Sequence, residues 1–63
     1  MDKFDKQKLF DEIDMLNGNI NRMCVTDDAD ELWQMKSYAF IRFTNIAKMC
    51  DLRMEELKEN NND

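Results

Sequence analysis

In the first half of the chain the apolar residues fall at Leu9, Ile13, Leu16, Ile20 and Met23, with spacings of 4, 3, 4 and 3. That rhythm draws one stripe along an α-helix, and Phe10 and Cys24 widen it. Gly18 sits inside the pattern, where it costs about 1 kcal/mol relative to Ala unless a neighbouring backbone uses the missing side chain to come close. In the second half, Leu32, Met35, Ala39, Phe43, Ile46, Cys50, Met54 and Leu57 follow spacings of 3, 4, 4, 3, 4, 4 and 3. This eleven-residue repeat suits a nearly straight helix or one with slight right-handed coiling. At about 100° per residue, Trp33, Phe40 and Ala47 form a second stripe turned by roughly 80° from the first. Together the two stripes are wider than one partner helix can cover, and Tyr38, Ile41, Met49 and Leu52 lie off the main seam.

The punctuation of a β protein is missing, since there is no Pro and Gly18 is the single Gly. The pattern predicts an all-α antiparallel helical hairpin forming one domain over residues 1–63. Helix 1 is expected near 3–24, the turn at 25–27, helix 2 near 28–59, and a frayed polar tail at 60–63.

A chain of 63 residues buries only about 60% of the surface its unfolded form exposes, so its own core is marginal without a staple or a partner. There is no His, and Cys24 and Cys50 stand alone with no Cys-x-x-Cys spacing. Common zinc arrangements therefore lack a ligand, and self-association is the remaining route. The expectation is a homodimer that closes into a four-helix bundle, with a seam of Phe43, Ile46, Cys50, Met54 and Leu57. The predicted second helix is roughly 48 Å long and the first roughly 33 Å, so Met54 and Leu57 are expected to project beyond the end of helix 1. The same geometry sets Cys24 and Cys50 near opposite ends of the hairpin, too far apart for an intrachain bridge.

The opening "MDKFDKQK" has no apolar leader core, and no apolar run approaches the roughly 20 residues that cross a bilayer. No lipidation signal closes the chain. A cytoplasmic protein with reduced thiols, not associated with membrane, is expected. Charge is uneven: residues 1–25 carry −1, 26–31 carry −4, 32–54 carry +3 and 55–63 carry −3, for a net −5. An acidic balance makes a poor generic binder of phosphate backbones, which favours a protein partner over nucleic acid.

The acids concentrate in "CVTDDADELW", where Asp27, Asp28, Asp30 and Glu31 precede the Leu32 stripe. Thr26, Asp27 and Asp28 are all good N-cap types, and Asp28 with Glu31 three positions on approximates a capping box. First-turn carboxylates also meet the positive end of the helix dipole. A calcium loop needs alternating oxygen ligands, a Gly at the bend and a distant Glu, none of which this stretch supplies. No metal site, cofactor or small-molecule substrate is expected. Neither thiol has a His to act as base, Ser37 has no visible base partner, and no catalytic residues are assigned.

Binding remains. Trp33, Tyr38 and Phe40 share one half of helix 2 with Lys36 and Arg42, and aromatics with Arg are enriched at interface hot spots. The alternative is that Trp33 and Phe40 only complete a dimer core. Asp27, Asp28 and Asp30 form a second candidate surface, an acidic corner that imitates a phosphate backbone.

Three resemblances add to this reading. "EELKE", Glu55 to Glu59, resembles the first half of the Glu-Glu-x-x-Glu motif of all-α nucleotide pyrophosphatases of the MazG type, which implies magnesium held with a second acidic pair on a later helix; only four residues follow here. "NRMCVTDDADEL", Asn21 to Leu32, is similar to small uncharacterised helical proteins of phages and mobile elements of Gram-positive bacteria, over about a fifth of the chain. As an acidic hairpin with "ADEL" followed by Trp33, the chain resembles in architecture the Rop family of plasmid RNA-binding proteins, which dimerise into four-helix bundles. That likeness implies an RNA-reading face of Lys3, Lys6, Phe10, Asn17 and Asn21, interrupted here by Asp11 and Asp14. The leading expectation is a non-enzymatic protein-binding regulator or inhibitor, with an RNA-binding bundle or an acidic nucleic-acid mimic as alternatives.

Overall fold

A computed structural model describes residues 3–60 as two α-helices, α1 (Lys6–Val25) and α2 (Ala29–Asn60), joined by a three-residue turn and packed antiparallel. The expected tail at 60–63 lies outside the described residues beyond Asn60, which closes α2.

Each helix begins where a side chain satisfies its first amides. Asp5 is extended and its carboxylate accepts from Gln7 N–H at 3.0 Å and Lys8 N–H at 3.3 Å, so α1 starts three residues later than the periodicity alone suggested. Asp28 does the same for α2, its Oδ1 accepting from Asp30 N–H at 2.9 Å and Glu31 N–H at 3.4 Å. Thr26 ends α1: its N–H donates to the Arg22 carbonyl at 3.0 Å, while its hydroxyl accepts from Asp28 N–H at 3.1 Å. The expected capping box is thus half formed. Thr26 serves the Asp28 amide, and Glu31 turns instead to Arg22 across the turn at 2.7 Å.

Leu9, Ile13, Leu16 and Met23 are half-buried against α2, as their spacing predicts. On α2 the half-buried positions include Met35, Arg42, Met49 and Glu56, each seven residues from the next, with Ala39 and Ile46 on one flank and Asn45 and Leu52 on the other. Two expectations change here. Met49 and Leu52, placed off the main seam, belong to the hairpin contact. Phe43, Cys50, Met54 and Leu57, placed on it, are exposed. Per repeat a seven-residue spacing falls about 20° behind an ideal straight helix and an eleven-residue spacing about 20° ahead of it, so the two stripes part company along α2, and α1 follows the seven-residue one.

The hairpin has two unlike edges. On one, Glu12 accepts from Arg42 Nη1 at 3.4 Å and from Asn45 Nδ2 at 3.4 Å, and Asn19 Nδ2 approaches Met35 Sδ at 3.6 Å. The Glu12 side chain is only 14% exposed, so leaving it unpaired would cost of order 1–3 kcal/mol, and its two partners set the register of the helices. The other edge carries Ile13 and Ile20 from α1 beside Ala39 and Ile46 from α2, with no polar bridge among the described residues.

At the open end, the Phe4 N–H donates to Glu56 Oε2 at 2.8 Å and the Arg53 guanidinium lies 5.4 Å from the Phe4 ring centroid. This extended N-terminal segment runs alongside α2 past Met54. At about 1.5 Å per residue α2 spans roughly 48 Å and α1 roughly 30 Å, so α2 runs on past Lys6, the first residue of α1, and Met54 and Leu57 are both exposed there. No described residue is fully buried, and no helix is long and apolar enough to cross a membrane.

Candidate functional site

A side chain seven residues from another returns to nearly the same face of a helix. By that rule α2 carries three longitudinal strips. Met35, Arg42 and Met49 face α1. Phe43, Cys50 and Leu57 lie roughly 100° round, on the side of the apolar edge. Trp33, Phe40, Ala47 and Met54 lie further round, on the back of the helix. Phe40 is 73% exposed, Trp33 64% and Phe43 62%.

These values separate residues that the sequence grouped together. Trp33 and Phe40 share the back strip, about 10 Å apart along the axis. Tyr38 does not join them: it stands on the polar edge, lining an open cleft of about 300 Å³ with Met15, Gly18, Asn19 and Arg42. Of the expected dimer seam, Phe43, Cys50 and Leu57 share one strip and Ile46 flanks it, while Met54 belongs to the back strip with Phe40. Periodicity places residues on faces, but the α1 contact was needed to say which face is which.

The acidic corner is largely absorbed by folding. Asp28 caps α2 and Glu31 is ion-paired to Arg22. The Thr26 hydroxyl first, then the Arg22 guanidinium, hold the Glu31 carboxyl below its ordinary range against a smaller opposing effect of burial. Asp27 and Asp30 remain exposed, with no ion pair among the described residues. No group of three or more Cys, Asp or Glu among the described residues is placed to hold a metal ion.

The basic residues of α1 do not gather. Arg22 is engaged with Glu31. Lys6 stands 5.8 Å from the Phe10 ring centroid, and helical spacing sets Lys8 on the side away from Phe10. Phe10 and Asn17 do share a face, next to the apolar edge, with Asn21 and the carboxylate Asp14 beyond them. Both thiols, Cys24 and Cys50, are free and exposed.

In comparisons with protein-family models, with curated proteins and with solved structures, nothing matches the chain.

Proposed function

We propose that this protein is a non-enzymatic protein-binding module, a regulator or inhibitor that acts as a homodimeric four-helix bundle and docks an aromatic strip onto a larger protein. The observation that carries the reading is the surplus of apolar surface on α2, which exceeds what α1 covers and divides into two strips.

One strip supports the dimer. The chain exposes 5328 Å², about 1,000 Å² more than the roughly 4,300 Å² typical of a compact protein of its mass. A standard interface buries about 800 Å² per partner. Covering the edge of Ile13, Ile20, Phe43, Ile46 and Cys50 with a second hairpin supplies the core that a single chain lacks.

The other strip supports docking. A bundle neighbour that covers the Phe43 side leaves the back of α2 outermost, so Trp33 and Phe40 stay in water. Large exposed aromatics on a rigid helix are the residue types that anchor interfaces, by filling apolar pockets. The acidic corner supports mimicry less well, since capping and the Arg22 pair already employ two of its four carboxylates.

The test is retention of a host protein on immobilised dimer. Phe40→Ala or Trp33→Ala should abolish it while the dimer mass stays unchanged, and Tyr38→Ala should leave it intact. If retention survives both aromatic truncations and disappears on reversing Asp27 and Asp30 to Lys, the docking strip is wrong and the acidic corner is the site. Salt-sensitive binding of structured RNA, lost on Lys3→Ala or Asn17→Ala, would replace the protein-binding reading altogether.

A further inference from the structure

The apolar edge of α2, exposed at Leu32, Phe43, Cys50 and Leu57 and half-buried at Ala39 and Ile46, has a symmetry that the hairpin does not require. Its apolar residues, Leu32, Ala39, Phe43, Ile46, Cys50 and Leu57, are separated by 7, 4, 3, 4 and 7 positions, a series that reads the same in both directions. Its centre falls between Thr44 and Asn45, which is also the midpoint of α2 (Ala29–Asn60). We infer that the second copy packs α2 against α2 in antiparallel orientation, about a two-fold axis between Thr44 and Asn45. The inference rests on the dimer proposed above and adds its geometry.

An isologous contact matches one surface with itself turned round. About this axis Phe43 of one chain meets Ile46 of the other, Cys50 meets Ala39, and Leu57 meets Leu32, so a large residue packs beside a branched one at the centre and two small ones pack a turn and a half away. Antiparallel helices with alternating 3 and 4 spacings meet in this way, one ridge of each helix against the other ridge of its neighbour. The axis also overlaps α2 over its whole length, which buries the most surface available to the pair. The one polar level sets Lys36 opposite Arg53, whose guanidinium is drawn aside onto Glu56, at 3.6 Å, and onto the Phe4 ring.

Charge points the same way. Residues 22–31, at the turn, carry net −3 from Arg22, Asp27, Asp28, Asp30 and Glu31. Among the described residues at the opposite end, 3–8 carry +2 and 51–59 carry −2; with Asp2 and Asp63 that end of the full sequence sums to −2, less acidic than the turn. A parallel dimer brings the two −3 turns side by side, whereas the antiparallel one separates them by the length of the molecule.

Cys24 is exposed near the turn and serves as a probe. Nitroxide-labelled Cys50→Ala protein is first checked for dimer mass by sedimentation, then its Cys24 to Cys24 distance is read by double electron–electron resonance. The antiparallel arrangement predicts a distance of about 40 Å or more, since each Cys24 lies some 14 residues' rise from the axis. A distance below about 30 Å at dimer mass overturns the arrangement and leaves the dimer standing. Should Cys50→Ala itself give a monomer, unsubstituted protein is oxidised instead: Cys50 residues sit about 16 Å apart along an antiparallel seam and stay unlinked, whereas in a parallel seam they meet and form a covalent dimer. A monomer mass for the unsubstituted chain removes both the arrangement and the dimer.

Discussion

Phe43 and Phe40 lie three positions apart on one helix and are exposed to similar degrees in the lone hairpin, 62% and 73%, yet truncating them should have opposite consequences. Removing a fully buried Phe side chain to Ala costs about 3–5 kcal/mol. Roughly three-fifths of Phe43 is left in water by its own hairpin, so about 2–3 kcal/mol of that burial belongs to the dimer, and the two-fold repeats it. The dimer should lose about 4–6 kcal/mol, which raises its Kd roughly a thousandfold to ten-thousandfold. Phe40, on the back of α2, buries nothing in the seam, and Phe40→Ala should leave Kd within about threefold, the range of ordinary surface changes. Sedimentation equilibrium over a wide concentration range measures both constants, and the concentration dependence of Tm provides an independent check. A Phe43→Ala protein that dimerises within threefold of the parent would refute the assignment of the Phe43 strip to the interface. Equal weakening by both substitutions would show that the second copy covers the back of α2 instead.

Three further outcomes follow from local geometry. Asp28→Ala removes the acceptor of two first-turn amides and should destabilise the protein by about 1 kcal/mol, whereas Asp27→Ala, with no partner to lose, should change Tm little; thermal melts followed by circular dichroism compare the two. Glu31 is held below its ordinary range in the folded chain by Thr26 and Arg22, so its stabilising effect is complete above that range and is lost as pH falls through the lowered value; Thr26→Ala should raise the Glu31 midpoint in an NMR titration, and an unmoved midpoint would show that the hydroxyl plays no part. Gly18 has nothing within 4 Å of where a Cβ would stand and no positive φ, so Gly18→Ala should raise stability by about 0.5–1 kcal/mol; a loss of dimer or of partner binding in that variant would instead mean that another chain fills the notch.

Most of the local architecture is legible in the residues themselves. Two runs of helical periodicity, a lack of Pro, and the cap types at "VTDD" suffice for two helices and the turn between them, because these are short-range effects decided within a few residues. The Leu9 to Met23 stripe is equally legible, since the rest of α1 is too polar to offer a rival face. Helix 2 is different. It carries several apolar strips of comparable strength, and periodicity says which residues share a strip without saying which strip another helix covers. Tertiary structure makes that choice through Arg42 and Asn45, which look like surface residues in the sequence but find Glu12 about thirty positions away and bring Met35 and Met49 inward with them. The strip richest in aromatics is thereby left outside. A polar residue belongs to an interface only when its partner lies opposite, and that partner is fixed by the fold and not by its neighbours in the chain.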